Sequence, residues 1–289
     1  MAALYSFLAI LVLILALSLF LSWRMTRRPA ADERRSPAEY GLSFEEVEFP
    51  AADVDGVTLH GWWIPGVDTE RAVILLPGQF GSMDPDLQYV PALHEAGFSV
   101  LLFDFRAHGR SDGNVSTFGY LERHDLLGAV NFVREKGFVR IGLWGFSMGA
   151  RVALLAAPLC PEVRAIVADG GPPRMLPAIA ARIQEMGLPE ELAGPLAWLA
   201  LAGTALRLRA NLFRYEPLYR VELVAPRPVL FIHGDRDPYI PSAEFAALVA
   251  AAGPAAEVWR LSDAGHRNAD ELYPIEYRRR VVDFFQRHL

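Results

Sequence analysis

Short continuous apolar runs alternate with longer helical stretches, and this alternation constrains the fold more than any other feature of the sequence. Apolar runs of four to six residues are typical of strands buried on both faces of a parallel sheet. The runs are Ala72–Leu76, Ser99–Asp104, Arg140–Trp144, Val163–Ala168, Pro228–His233 and Val258–Leu261. The helical stretches are Leu87–Ala96, Leu121–Lys136, Met148–Ala157, Ser242–Ala252 and Ile275–Leu289. The alternation predicts a doubly wound α/β domain with a mostly parallel sheet.

A hairpin precedes these runs. Phe44–Phe49 and Thr58–Ile64 form its predicted strands, with Asp55-Gly56 near the turn. A second irregularity lies at about 172–219, where the chain is helical and apolar and contains no clear strand. Long insertions between core strands are usually functional. Two interpretations remain open: the insertion packs on the domain, or it forms a lid over a hydrophobic pocket.

The first 23 residues are predicted to form a transmembrane anchor. The run from Ala2 to Trp23 is apolar except for one tyrosine and three serines. About 20 apolar residues in a helix span a bilayer core of roughly 30 Å. A secretory signal peptide is the alternative, but its apolar stretch is shorter and follows positive charge. No arginine or lysine precedes this run.

Positive charge after the run predicts the orientation of the anchor. Lys and Arg near a span favour its cytoplasmic side. The arginines are Arg24, Arg27, Arg28, Arg34 and Arg35. The sequence therefore predicts a single-pass membrane protein with the domain that follows the span in the cytoplasm. Residues 24–43 are predicted as a linker, and residues 44–289 as that domain.

Composition excludes several classes of function. The net charge of −6 argues against a nucleic-acid-binding protein, because such proteins usually carry a basic field. Cys160 is the one cysteine, which excludes an internal disulfide and a cysteine-cluster metal site. The sequence contains neither G-x-G-x-x-G nor a P-loop, so no nucleotide cofactor is implied. We expect no cofactor and no metal.

The segment Gly145-Phe146-Ser147-Met148-Gly149 fits the pattern G-x-S-x-G. It follows a predicted strand and precedes an alanine-rich helix, which is the context that a nucleophile elbow requires. Small residues at both glycine positions let strand and helix approach closely. The serine is then exposed at the carboxyl edge of the sheet, where the helix N-terminus favours a developing negative charge. This context predicts Ser147 as a nucleophile, against the alternative of an ordinary strand–helix turn.

The chain from Phe44 to Leu289 resembles the α/β-hydrolase superfamily. Within it, the chain is similar to single-span serine hydrolases with dienelactone-hydrolase-like and depalmitoylating thioesterase-like members. The motifs are Leu59-His60-Gly61-Trp62-Trp63, Leu76-Pro77-Gly78-Gln79, Phe103-Asp104-Phe105-Arg106-Ala107-His108-Gly109-Arg110-Ser111, the elbow, His233-Gly234-Asp235-Arg236-Asp237 and Gly265-His266. The resemblance implies an eight-stranded sheet and a triad in the order serine, acid, histidine.

Two carboxylates, Asp235 and Asp237, follow the strand where the acid is expected. The resemblance favours Asp237, because the family's acid is followed by a short turn that ends in proline, here Pro241. Asp263 is a weaker rival. Asp235, Asp237 and His233 are also near enough in sequence to suggest a metal site, but a triad explains them better.

His266 follows the last strand at the expected place in the chain. As a base it would take the proton of the serine and give it to the leaving group. His233 is the main alternative, but it ends a strand. An oxyanion hole needs two donors. The backbone N–H of Met148 is one, and the resemblance implies that of Gln79 as the other. The family commonly has His-Gly where this chain has Pro77-Gly78, which leaves the geometry of that loop open.

These residues predict hydrolysis of a carboxylic ester or thioester through an acyl-enzyme. The anchor and the apolar insertion indicate a lipophilic acyl substrate, and the membrane is the expected partner through the N-terminal helix. The alternatives are a peptidase or amidase on small substrates, an acyltransferase, and a non-catalytic binding module on the same scaffold.

Overall fold

A computed structural model describes residues 1–30, 34–52, 56–79 and 81–289. Within these residues one sheet has eight strands. The strands are β1 (Glu45–Pro50), β2 (Thr58–Ile64), β3 (Arg71–Leu76), β4 (Ser99–Phe103), β5 (Arg140–Phe146), β6 (Val163–Asp169), β7 (Val229–Gly234) and β8 (Ala256–Leu261). The α-helices are α1 (Ala2–Thr26), α2 (Val90–Glu95), α3 (Glu122–Glu135), α4 (Met148–Ala156), α5 (Met175–Glu185), α6 (Glu190–Leu208), α7 (Ser242–Ala252), α8 (Ala269–Leu272) and α9 (Pro274–His288).

The strand order is β1-β2-β4-β3-β5-β6-β7-β8. The pairs β1–β2 and β2–β4 are antiparallel, and the strands from β4 to β8 are parallel. Helices α3, α4 and α7 contribute to the core on one face of the sheet, and α2 and α9 to the core on the other. The predicted doubly wound α/β domain with a mostly parallel sheet is confirmed.

One helix of the α/β domain differs from the sequence-based expectation. The helix predicted at Leu87–Ala96 is divided into a 3₁₀ turn, Asp84–Tyr89, and the short helix α2. Pro91 at the second position of α2 lacks a backbone N–H, so it favours a helix start there. Asp55, placed in the hairpin turn, and residues 31–33 of the expected linker lie outside the described residues.

Between β6 and β7, the insertion contains α5, α6 and a 3₁₀ turn, Pro217–Tyr219, and a second 3₁₀ turn, Val221–Val224, follows it. Its buried side chains form a small apolar core of their own, which includes Ile179, Ile183 and Leu201. Leu21 and Met25 of α1 pack against this core. The insertion therefore joins the α/β domain to the N-terminal helix.

Helix α1 is long and apolar enough to cross a membrane over Ala3–Thr26. It continues three residues past Trp23, where the sequence predicted its end, because its last turns are hydrogen-bonded to α6. Thr26 Oγ1 donates to the Ser22 carbonyl at 2.8 Å, and Arg207 of α6 donates to Ser22 Oγ and Thr26 Oγ1 at 2.9 Å each.

The contact between α1 and α6 is close because the facing residues are small. Ser18, Ser22 and Thr26 recur at every fourth position of α1 and are buried. Ser18 Oγ donates to the Leu199 carbonyl at 2.6 Å. A Cβ on Gly203 would overlap the carbonyl of Ser18. Small residues at such spacing let two helix backbones approach, as in membrane helix pairs.

The residues after α1 are also held on the domain. The backbone N–H of Arg28 donates to the Asn114 carbonyl at 3.2 Å. The Arg28 guanidinium donates to the carbonyls of Gly109, Ser111 and Gly113 at 2.6 to 3.0 Å. The first part of the segment predicted as a linker, residues 24–43, is thus helix and docked chain.

The two glycines of α6 give a matched test of this docking. Gly203→Ala is expected to lower the free energy of unfolding by about 1–3 kcal/mol, because its methyl group would strike the backbone of α1. Gly194→Ala meets no atom within 4 Å, and it should gain up to about 1 kcal/mol from helix propensity. Denaturant unfolding of the full chain in mild detergent measures both. An equal increase of the free energy of unfolding in the two variants would contradict the docking of α1 on α6.

Candidate active site

Ser147 lies in the turn between β5 and α4, with φ 52° and ψ −110°. Residues other than glycine rarely adopt positive φ, so the turn is strained. Glycines make it possible. A Cβ on Gly145 would overlap the backbone of Ala150, and one on Gly149 would overlap the carbonyl of Leu76. The turn places the Ser147 side chain at the carboxyl edge of the sheet and at the N-terminus of α4.

A hydrogen-bonded chain connects Ser147 to His266 and Asp237. His266 Nε2 is 3.0 Å from Ser147 Oγ, and His266 Nδ1 is 2.7 Å from Asp237 Oδ2. An ionised carboxylate only accepts hydrogen bonds, so Nδ1 carries the proton and Nε2 accepts from the serine hydroxyl. The structure thus brings together the three residues predicted as nucleophile, base and acid.

The rival residues are engaged elsewhere. Asp235 accepts a hydrogen bond from Arg260 Nε at 2.5 Å. Asp263 accepts from the Tyr273 hydroxyl at 2.7 Å on the protein surface. His233 is buried and stacks on an aromatic ring of α7 with the centroids 4.0 Å apart. Burial lowers the pKa of His233, which favours its neutral form.

Asp237 is held by the turn that follows it. Its Oδ1 accepts the backbone N–H of Tyr239 at 2.8 Å, while Oδ2 faces His266. The Tyr239 ring lies edge-on to the His266 ring with the centroids 4.7 Å apart. The Tyr239 hydroxyl donates to the Glu185 carboxylate on α5 at 2.5 Å. Tyr239, which the sequence did not single out, therefore connects the acid, the histidine and the insertion.

Gln79 and Met148, predicted to supply the oxyanion donors, line one cavity with Ser147 and His266. Met148 is the first residue of α4, so its N–H has no acceptor within the helix. A Cβ on Gly78 would lie 3.6 Å from that of Ser147, so the Pro77-Gly78 loop passes close to the nucleophile. The side-chain Nε2 of Gln79 is buried without a hydrogen-bond partner among the described residues.

Arg267, the residue after His266, contacts Phe146 and Asp86. It has a positive φ of 55°, and its guanidinium lies 4.4 Å from the centroid of the Phe146 ring. It donates to Asp86 Oδ1 at 3.1 Å. Burial raises the pKa of Asp86 to about 6, against the opposing effect of the Arg267 charge. The one sequence signal that could have pointed to Arg267 is its position directly after His266.

The cavity at Ser147 has a volume of about 250 Å³. Its lining is mostly apolar: Phe118, Met148, Pro172, Met175, Ala178 and Ile179. Met175, Ala178 and Ile179 belong to α5, so the insertion both packs on the domain and covers the cavity. Met25 from the end of α1 lines the same cavity. No sequence signal pointed to this role, because Met25 lies in the segment predicted as a linker.

Comparisons with known proteins agree with this architecture. Residues 71–214 match the family model described as alpha/beta hydrolase fold. The uncharacterized protein YqkD of Bacillus subtilis is 32% identical over 209 residues, which are 69% of this chain and 67% of YqkD. The structure of the esterase Pf2001 of Pyrococcus furiosus superimposes with a TM-score of 0.78 at 29% identity, over 91% of this chain and 98% of Pf2001.

A further relative, the thiohydrolase apmlB of Arthrinium phaeospermum, is 36% identical over 135 residues. The match covers 44% of this chain and 43% of apmlB. The fold and these relatives support hydrolase activity.

The strain at Ser147 leads to a test. In Ser147→Gly the strained backbone becomes permissible, whereas Ser147→Ala keeps the Cβ and the strain. We expect the glycine variant to be more stable than the alanine variant by about 1 kcal/mol, although glycine usually destabilises. Denaturant unfolding of the two variants in the same detergent measures the difference. An alanine variant of equal or greater stability would show that the turn stores no strain.

Proposed function

Because this chain belongs to the α/β-hydrolase superfamily, we propose that it is a serine hydrolase that cleaves carboxylic esters or thioesters through an acyl-enzyme at Ser147. The observation that carries this proposal is the hydrogen-bonded chain from Ser147 through His266 to the buried Asp237, which opens onto an apolar cavity.

The geometry suits a two-step reaction. Ser147 Oγ attacks the substrate carbonyl carbon while His266 Nε2 takes the hydroxyl proton. Asp237 stabilises the imidazolium that forms. The tetrahedral oxyanion accepts hydrogen bonds from the N–H groups of Met148 and Gln79. The imidazolium then gives its proton to the leaving alcohol or thiol as the carbon–oxygen or carbon–sulfur bond breaks. Water, activated by His266, attacks the acyl-enzyme and releases the acid.

The lining of the cavity supports an apolar acyl group. Phe118, Met175 and Ile179 present carbon surface close to Ser147, and burial of an apolar chain there is favourable by about 0.8 kcal/mol for each methylene group. The relatives point to the same bond types, since Pf2001 is described as an esterase and apmlB as a thiohydrolase.

We further propose that α1 is retained as a membrane anchor and is not removed as a signal sequence. Its last third contributes buried contacts to the domain through Ser18, Ser22 and Thr26. Loss of α1 would expose the facing surface of α6 and would leave Thr204 and Arg207 without these hydrogen-bond partners. The arginines that follow α1 support a cytoplasmic position of the domain.

Labelling by a fluorophosphonate probe tests the nucleophile. The probe should label the wild-type chain at Ser147, and both Ser147→Ala and His266→Ala should abolish the label, because the hydroxyl reacts only when a base takes its proton. Gel fluorescence and mass spectrometry of the labelled peptide give the result. A folded wild-type chain that does not label would contradict the proposal and favour a non-catalytic binding module.

A matched pair of carboxylate variants tests the acid. Asp237→Asn should lower kcat/KM for a short-chain ester by about 10³–10⁴-fold, because the amide no longer holds the required histidine tautomer. Asp263→Asn should leave kcat/KM within about two-fold, since Asp263 contacts Tyr273 and not the histidine. Steady-state hydrolysis of the ester measures both. Similar losses in the two variants would reject Asp237 as the specific partner of His266.

A further inference from the structure

A second cavity adjoins the cavity at Ser147. It has a volume of about 490 Å³ and lies between α1 and the insertion. Met25 and Arg182 line both cavities, so the two spaces meet at these side chains. The triad and its oxyanion donors line only the first cavity, and the mechanism above does not use the second.

The interior of the second cavity is apolar, and both of its walls contribute. Leu21 and Met25 come from α1, and Ile183, Met186, Leu188 and Leu196 come from the insertion. Arginines stand among the lining residues, including Arg24 and Arg27 just past the apolar part of α1. An apolar space with positive charge on its lining suits an alkyl chain at the surface of an anionic bilayer.

The position of this cavity along α1 places it at the edge of a membrane. Leu21 lies about 27 Å along the helix from Ala3 at 1.5 Å per residue, close to the thickness of a bilayer core. Leu21 and Met25 are four residues apart and share one face of α1. Ser18, Ser22 and Thr26 occupy the face that contacts α6. The face with Leu21 and Met25 thus leads from the hydrocarbon to the active site.

We propose that the second cavity binds the distal part of a long acyl chain, which reaches Ser147 from the bilayer past Leu21 and Met25. The substrate class is an ester or thioester of a long-chain fatty acid held in the membrane. Its carbonyl lies at Ser147, and its alkyl tail lies between α1 and the insertion. This inference rests on the proposed serine-hydrolase function and deepens it, because it makes the anchor helix part of the substrate site.

Met25 and Arg182, which lie between the two cavities, can move to open a passage between them. Met25 is unbranched, with three rotatable side-chain bonds, so a change of rotamer widens the passage at little cost. Arg182 is held at the side by Glu185, whose carboxylate also accepts a hydrogen bond from the Tyr239 hydroxyl. Tyr239 in turn contacts His266. A chain that occupies both cavities would therefore lie against the residues that position the histidine.

Acyl-chain specificity tests the proposal in the full chain. Leu188→Glu puts a carboxylate into the second cavity, and Leu188 does not line the cavity at Ser147. It should lower kcat/KM for a hexadecanoyl ester in mixed micelles by at least about ten-fold and leave that for a butanoyl ester within about two-fold. Leu192→Glu is the control, because Leu192 is exposed on α6 and lines neither cavity. Loss of neither activity, or equal loss of both, would overturn the inference.

A measurement on the wild-type chain does not depend on the folding of a variant. A fluorophosphonate with a long alkyl chain and a terminal diazirine is allowed to react at Ser147 and is then irradiated. We expect crosslinks in the segments that contain Leu21, Met25 or residues 183–196. Crosslinks elsewhere, with Ser147 labelled, would overturn the acyl site and leave the proposed hydrolase function standing. A probe that does not react at Ser147 would contradict both the acyl site and the proposed hydrolase function.

Discussion

The close contact between the end of β5 and the start of α4 is the constraint on which the rest of the site depends. Gly145 and Gly149 let the backbones of α4 and β3 approach to distances that no Cβ would permit, and Ser147 between them takes a positive φ. This one turn gives the hydroxyl its exposed position at the sheet edge. It also points the first N–H groups of α4 at the same point in space. The strain is tolerated because the sheet on one side and α4 on the other are both deeply buried.

A second constraint is the docking of α1 on α6, which places Met25 in the lining of the cavity at Ser147. The helix that resembles a simple anchor is docked along α6 through small side chains and buried hydroxyl groups, and its last turn reaches the cavity at Met25. The docking affects the site because α5, which shares an apolar core with α6, covers Ser147. Glu185 and Tyr239 link the insertion to the loop that carries Asp237, and α1 packs on the apolar core of the insertion. The docking of α1, the covering of the site and the orientation of His266 are therefore parts of one packed arrangement.

Much of this could be predicted from sequence, but not all of it. The bounds of β2 and α7 agree with the predicted Thr58–Ile64 and Ser242–Ala252, because apolar patterns and flanking turn residues act locally. The spacing of residues left Asp235 and Asp237 both open as the acid, and only the resemblance favoured Asp237. The structure shows the physical difference: Asp235 turns outward to Arg260, and Asp237 turns inward to His266 at 2.7 Å. Arg267 escaped notice because its partner Asp86 is 181 residues away in the chain.

By itself, the sequence determined the alternation of strands and helices, the tight turn around Ser147 and the apolar length of α1, since each depends on residues close together in the chain. Tertiary structure alone decided which carboxylate meets the histidine, that Met25 lines the cavity, and that the first part of the expected linker is docked on the domain. These features depend on the juxtaposition of distant segments, such as Ser18 with Leu199, 181 residues apart. Periodicity and spacing describe which face of an element is apolar, but the partner of that face is chosen only when the whole chain packs.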